Sequence, residues 1–218
     1  MLAAQPLLPT LQQQAERLIA LGVHTIAGLS AEDLRAAAEN PAAGALLVIH
    51  PDRAPASALV PLLEYRGKPG FVVIDMPDLD DFSATEQAGV PGEAMYLVEG
   101  LDRGDEMANW SPAEALPAVV GAARTPLTVG EGIHWLLQQP EVLERSHCFM
   151  TIGSRLRKPD GSFDARTPAL WISNGTGRDG KENRDAPKLG WCWWGNRHTW
   201  LGFASAAQRR PLLVPSAV

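Results

Sequence analysis

The chain of 218 residues lacks several features that would define its class at once. Its two cysteines, Cys148 and Cys192, are too few for a disulfide scaffold, so two buried thiols in a reducing compartment are expected. The longest aliphatic runs, such as ALLVI at 45–49, have about five residues, whereas a membrane-spanning helix needs about twenty. The first residues, MLAAQPLLPTLQQQ, have no positive charge before their apolar residues and make a poor secretory signal. We therefore predict a cytoplasmic protein with no membrane partner.

Positive charge is also scarce, because 19 Lys and Arg face 25 Asp and Glu, a formal net charge of −6. Binding to nucleic-acid backbones needs a basic face, so no nucleic-acid partner is expected. The sequence has no G-x-S-x-G motif, and nucleotide binding through the common phosphate-binding loops is not expected. Neither a common nucleotide cofactor nor the usual serine hydrolase arrangement is predicted.

Helices are predicted early in the chain. Leu11, Ala15 and Leu18 recur at the spacing of an amphipathic helix, and Ser30 with Asp33 forms the start signal of a second helix. We expect residues 1–43 to form a helical arm.

The rest of the chain, 44–218, is predicted to be a single α+β domain. Runs at 44–50, 70–75 and 94–100 are rich in branched residues and predict a short mixed sheet. Two further helices are expected to start at Ser111 and Thr128, each followed three residues later by a glutamate. A tryptophan-rich antiparallel sheet is then predicted from the segments 147–154, 167–173, 189–195 and 198–205. Between these segments, 156–167 and 174–186 are predicted to be polar loops.

The segment KLGWCWWGNRHTW at 188–200 contains four of the seven tryptophans. If 189–194 is a strand, Trp191 and Trp193 lie on one face and Cys192 and Trp194 on the other. A tight reversal would follow, with Trp200 on the returning strand. The tryptophans could then be core residues, or they could form the wall of a ligand pocket.

The pocket interpretation assigns roles to eight residues. An aromatic wall can hold a planar or cationic molecule by stacking or cation–π attraction, and polar groups beside it orient the molecule. His198 is the candidate general acid/base, since an unperturbed imidazole titrates near neutrality. The candidate ligand-binding residues are Trp191, Trp193, Trp200, Asn196, Arg155, His50 and Asp75. His50 and Asp75 are included because each follows a predicted buried strand, and parallel neighbours would bring both to one sheet edge.

Metal and thiol chemistry are weaker alternatives. Cys148, Cys192, His147 and His198 have no zinc-motif spacing, so no metal is predicted. A Cys192 nucleophile activated by His198 is disfavoured, because burial between tryptophans raises a thiol's pKa.

An acidic run extends from Asp75 to Glu106, with ten Asp or Glu against Arg103 alone. It lacks the spacing and glycine of a calcium loop. The simplest interpretation is an acidic face in contact with solvent. If this face has a function, it is to bind a basic protein partner.

Four motifs resemble an actinobacterial family of soluble proteins of unknown function. They are RTPLTVGEGI at 124–133, PALWIS at 168–173, APKLGWCW at 186–193 and GNRHTWLG at 195–202. The resemblance extends from about residue 44 onward and implies no activity, cofactor or catalytic residue. The loops 156–167 and 174–186 are longer than the family pattern, and Leu156 stands where a cysteine is expected, which weakens any shared metal site.

The sequence thus supports two hypotheses. The first is a protein that binds a small organic molecule in an aromatic pocket and acts, if it is an enzyme, without metal through His198. The second is a non-catalytic protein-interaction module that uses the acidic surface and the long loops.

Overall fold

Six α-helices and fourteen short strands follow one another along residues 7–212, which are the part of the chain that a computed structural model describes, apart from the side chain of Arg178. Residues 1–6 and 213–218 lie outside the described residues. They include the first residue of the predicted arm 1–43, the last residue of the predicted domain 44–218, and the start of the segment predicted to be a poor secretory signal. The helices are α1 Leu11–Ala20, α2 Val23–Ile26, α3 Ala31–Ala38, α4 Ala56–Leu59, α5 Pro112–Gly121 and α6 Val129–Gln138. The strands are β1 Leu46–Ile49, β2 Glu64–Tyr65, β3 Lys68–Pro69, β4 Phe71–Val72, β5 Phe82–Ala84, β6 Met95–Glu99, β7 Thr125–Pro126, β8 Cys148–Met150, β9 Ser154–Leu156, β10 Arg166–Ile172, β11 Pro187–Trp193, β12 Leu201–Phe203, β13 Ser205–Ala206 and β14 Gln208–Leu212.

Two sheets carry most of the strands, and the α+β class is confirmed. One is antiparallel, with the order β1-β6-β14. The other has the order β12-β8-β10-β11-β4. Its central pairs, β8 with β10 and β10 with β11, are antiparallel, while β12 and β4 join as parallel outer strands. The tryptophan-rich sheet is therefore mixed rather than purely antiparallel.

The predicted helix starts at Ser30, Ser111 and Thr128 are confirmed. In all three, the carboxylate of the third helical residue accepts from the cap's own N–H. The side chains of Ser30 and Thr128 also accept the backbone N–H of that residue, whereas the Ser111 hydroxyl donates to the Glu114 carboxylate. Helix α6, which begins after Thr128, is buried along its whole length and packs between the two sheets. None of the helices in residues 7–212 is long and apolar enough to cross a membrane.

Helix α1 packs on α3 and β1. Its residues Leu11, Ala15 and Leu18 belong to the same hydrophobic cluster as β1 and α6. The buried Gln14 amide donates to the carbonyl of Ala45 and accepts from the N–H of Leu47, both at 2.8 Å. The boundary at residue 43 stays a prediction, but the arm's apolar face is part of the main core.

Two predicted neighbour pairings are wrong. Strands β11 and β12 do not form a hairpin, because β8 and β10 lie between them. Strands β1 and β4 belong to different sheets, so His50 and Asp75 do not meet at a common sheet edge. In both cases the strands pair with partners that lie further away in the sequence.

The glycine-rich loop 174–186 contains the run GTGRDGK at 175–181, whose glycine spacing matches phosphate-binding loops. It joins two antiparallel strands through short 3₁₀ turns and is followed by no α-helix, so the strand-to-helix context of such loops is missing. Asp179 ties this loop to the sheet, because its carboxylate accepts from the Ser173 hydroxyl and forms an ion pair with Lys188. The loop is anchored at its centre.

Candidate functional site

Alternation along β11 divides its side chains between two faces, as predicted. Leu189 and Trp191 pack against the main core with α6. Cys192 and Trp194 pack against a second cluster, formed by the opposite face of the five-stranded sheet and α5. The aromatic segment therefore serves both faces of the sheet.

A pocket of about 350 Å³ opens on the second face, and we call it the His198 pocket. Its chemically distinctive lining residues are His147, Cys148, Trp171, Asn174, Cys192, His198 and Trp200. The rings of His198 and Trp200 are stacked, with centroids 4.6 Å apart and planes 18° apart. Within residues 7–212, neither ring nitrogen of His198 has a hydrogen-bond partner. The pocket thus combines a flat aromatic surface with two free imidazole nitrogens.

Backbone contacts hold this stacked pair in place. The carbonyl of His198 accepts the N–H of Asn109 at 2.9 Å, and the carbonyl of Trp200 accepts the N–H of Cys148 at 2.9 Å. The second bond starts the parallel pairing of β12 with β8. The segment between β11 and β12 is therefore fixed at the pocket by its backbone, which leaves the two rings free to meet a ligand.

A shallower depression of about 290 Å³ adjoins the pocket, and we call it the Trp193 groove. It is lined by Val73, Asp75, Trp171, Lys188, Trp191, Cys192, Trp193 and Asn196. Trp171 and Cys192 line both spaces, so the groove and the pocket share a wall. Trp191 and Trp193 meet edge to face, with centroids 4.5 Å apart.

The eight predicted site residues fall in four places. His198 and Trp200 line the His198 pocket, whereas Trp191, Trp193, Asn196 and Asp75 line the groove. Arg155 lies elsewhere, stacked on Trp194 at 3.8 Å and donating to the carbonyl of Asp164. His50 lines a separate cavity beside α6.

Trp171 was missed as a site residue, although it is the residue that joins pocket and groove. It lies opposite Lys188 in the pairing of β10 with β11, and the ammonium of Lys188 is 4.5 Å from its ring centroid. Alternation along PALWIS places it on the same face as Ala169, opposite the core residues Leu170 and Ile172. This alternation could have identified Trp171 from the sequence, because it places an aromatic side chain on the sheet face that does not contact the main core.

Both thiols line the His198 pocket, but their raised pKa values make them poor nucleophiles at neutral pH. Burial raises the pKa of Cys148 well above its ordinary value, with the Cys192 thiol adding to the effect. Burial also raises the pKa of Cys192 to about 11, although the nearby charge of Lys188 opposes the shift. Within residues 7–212, no three His, Cys, Asp or Glu side chains are grouped to hold a metal ion.

We expect both thiols of the folded protein to alkylate slowly at pH 7.5. A pKa of about 11 leaves about 100-fold less thiolate at Cys192 than its ordinary value of 9.0 does. Iodoacetamide labelling followed by mass spectrometry should show rates at least tenfold below those in urea, with Cys148→Ser isolating Cys192. Labelling of folded Cys192 at the rate of the unfolded chain would show that the thiol is neither buried nor deactivated.

The fold and pocket define an α+β protein with an aromatic cavity. Comparison with protein families gives a match over residues 17–212, and the chain belongs to the family of unknown function DUF5701. No curated protein and no solved structure matches the chain.

Proposed function

We propose that this protein binds a planar small organic molecule in the His198 pocket. The observation that carries the proposal is the stacked pair of His198 and Trp200 on a cavity of about 350 Å³. Ligand sites are commonly apolar walls with a few polar groups, and their volumes start at about 300 Å³. Trp171 supplies further aromatic surface, while His147 and Asn174 supply polar groups at the rim. A flat ligand gains dispersion and stacking energy there at little cost in ordering.

The Trp193 groove provides for an extension of the same ligand. Since Trp171 and Cys192 line both spaces, a second ring or a polar tail can continue from the pocket towards Trp193, Asn196 and Asp75. Arg155 and His50 take no part in this proposal, because they lie outside both spaces.

If the protein is an enzyme, His198 is the residue we propose as its acid/base. Its ring nitrogens have no partner in residues 7–212, so a substrate is free to take either one. The chemistry we propose needs no metal and would occur in the cytoplasm, the location that the sequence predicts.

The motifs of the resemblance fit this proposal. Trp171 lies in PALWIS, Cys192 in APKLGWCW, and His198 and Trp200 in GNRHTWLG. We propose that the resemblance to an actinobacterial family reflects a shared pocket.

The interaction-module alternative has less support. Three carboxylates of the acidic run form ion pairs with arginines of the same chain, so part of its negative charge is already neutralised. The pairs are Asp78 with Arg166, Asp105 with Arg103, and Glu99 with Arg210. A partner surface needs those charges free.

Tryptophan fluorescence tests the proposal, with quinoline as a neutral planar probe and N-methylquinolinium as a charged one. We expect saturable quenching in the wild type. Trp200→Phe should weaken binding severalfold, because the phenyl ring offers a planar ligand less stacking surface than the indole that it replaces. Trp193→Phe is the matched control, since Trp193 and Trp200 are 46% and 48% exposed but only Trp200 lines the pocket.

His198→Ala is expected to weaken binding without unfolding the protein. The imidazole satisfies no buried group, so the change in unfolding free energy should stay within about 0.5 to 1 kcal/mol. Calorimetric melting curves check this. If both planar probes bind His198→Ala and Trp200→Phe as tightly as wild type, the pocket does not bind planar molecules.

A further inference from the structure

We propose that the protein has a second ligand site, beside the first turn of α6, which binds an organic ammonium ion with an apolar body. The site is a cavity of about 400 Å³ between the end of β1, strand β5 and α6, and we call it the α6 cavity. It shares no lining residue with the His198 pocket or the Trp193 groove. The proposal therefore does not depend on the function proposed above.

The charge of the lining selects for a cation. Three carboxylates, Asp52, Asp80 and Glu86, line the cavity, and no Lys or Arg does. Arg166 lies over the ring of Phe82, another lining residue, but it is paired with Asp78 and brings no free positive charge. A concave site lined by one sign of charge concentrates ligands of the opposite sign.

The three carboxylates are not equally available. Asp80 accepts from the N–H of Ser57 and from its hydroxyl, so its role is to hold α4. Asp52 is 87% exposed at its side chain, and its carboxylate lies 3.5 Å from Nδ1 of His50 at the rim. Glu86 is exposed too and makes no ion pair in residues 7–212. Asp52 and Glu86 are thus the groups that would meet an ammonium ion first.

Two buried hydroxyl groups beside the cavity lack full hydrogen bonding. The Thr85 hydroxyl oxygen is buried and has no partner within the described residues. Ser154 is 1% exposed, and its oxygen accepts only the N–H of Val129, at 3.0 Å. A buried polar group without a partner costs free energy that a ligand can recover. Both hydroxyl oxygens are shielded from solvent, so an ammonium ion in the cavity reaches them only when their side chains turn towards it.

The remaining surface is apolar and suits a hydrocarbon body. Leu79, Phe82 and Val90 line the cavity, together with Pro51 and Pro55. A volume of about 400 Å³ fits an aromatic or branched alkyl group of roughly ten heavy atoms. A small inorganic cation would leave this surface uncovered, so the shape favours an organic amine.

Gly130 provides a way to close the cavity without disturbing the fold. It lies in the first turn of α6 and lines the cavity, and a side chain added there meets no atom within 4 Å. Replacing glycine in a helix also removes a conformational cost. Gly130→Met should therefore fill the α6 cavity and leave the melting temperature unchanged or raised.

The experiment uses 2-phenylethylamine as the probe, with 2-phenylethanol and 3-phenylpropionate as its neutral and anionic counterparts. Titration calorimetry of the full chain should show binding of the amine, at least tenfold weaker binding of the alcohol and none of the acid. The double variant Asp52→Asn with Glu86→Gln should reduce amine affinity at least tenfold, and Gly130→Met should abolish it. Trp200→Phe should leave it unchanged, which separates this site from the His198 pocket.

Equal binding of the amine and the alcohol would overturn the proposal, because the carboxylates would then contribute nothing. Unchanged amine affinity in a folded Gly130→Met protein would overturn it as well, since the amine would have to bind elsewhere. No detectable amine binding by the wild type would also count against the site.

Discussion

Replacing Arg209 by methionine is expected to lower the free energy of unfolding by about 3 to 5 kcal/mol, the usual cost of leaving one member of a buried ion pair unpaired. Arg209 on β14 pairs with Glu131 of α6 at 2.6 Å, and their side chains are 2% and 0% exposed. A second guanidinium nitrogen donates to the other carboxylate oxygen at 2.7 Å. Without the guanidinium, the carboxylate is left in the core with no charged partner.

Two further hydrogen bonds hold the Glu131 carboxylate in its buried position. Its carboxylate also accepts from the Tyr96 hydroxyl at 3.1 Å and from the N–H of Thr128 at 2.8 Å. Burial and the Glu131 charge raise the pKa of Tyr96 well above its ordinary value, so the phenol stays protonated and keeps donating. Glu131 is thus the meeting point of β6, β14 and the start of α6.

Arg210→Met is the matched control for this prediction. Arg210 follows Arg209 on the same strand and pairs with Glu99, but their side chains are 44% and 25% exposed. Exposed ion pairs contribute about 0 to 1 kcal/mol. Urea unfolding of both variants measures the difference. Similar losses for Arg209→Met and Arg210→Met would show that the Glu131 pair is solvated in solution.

The double variant Arg209→Met with Glu131→Gln refines the test. We expect it to be less destabilised than the sum of the two single variants, because removing both charges avoids an unpaired charge in the core. Additive losses would mean that the two side chains stabilise the protein independently.

Acidification from pH 6.5 to pH 4 is expected to remove about 3 kcal/mol of stability through His134 alone. Desolvation by complete burial lowers the pKa of His134 to about 4. Its Nδ1 lies 2.8 Å from the carbonyl of Gly130, which can only accept, so Nδ1 carries the proton. Its Nε2 accepts the N–H of Ile49 and cannot take a proton without losing that bond.

The protein loses stability on acidification because the unfolded chain takes up a proton at His134 at a higher pH than the folded protein does. The unfolded chain protonates this imidazole near 6.5, whereas the folded protein does so near 4. Stability from His134 is therefore complete above pH 6.5 and declines by about 1.4 kcal/mol per pH unit as the pH falls towards 4.

Unfolding of wild type and His134→Gln between pH 7 and pH 4.5 checks this prediction. The glutamine side chain can donate and accept but does not titrate, so the variant should be less stable at pH 7 and its stability should depend less on pH. Carboxylates with lowered pKa values, such as Asp78 and Asp164, affect both proteins alike at the acid end. Parallel curves for the two proteins would show that His134 does not titrate as its burial implies.

The sequence by itself determined the local features of this protein. Ser30 and Thr128 start helices because a hydroxyl three residues before a carboxylate satisfies two backbone donors whatever lies around it. At Ser111 the carboxylate of Glu114 satisfies one of them. Alternation along β11 divides Trp191 and Cys192 between two faces, since side chains alternate in any extended strand. The α+β class follows from such patterns too.

Only the tertiary structure decided which of these elements meet. Pairing of β12 with β8 brings Trp200 and His198 to Trp171, and separates them from Trp191 and Trp193. Strand pairing depends on how all the strands together satisfy their backbone groups, and one segment's residues do not contain that information. The same holds for Glu131, since the carboxylate that pairs with the cap residue Thr128 in the sequence pattern is also the buried partner of Arg209, 78 residues further along the chain.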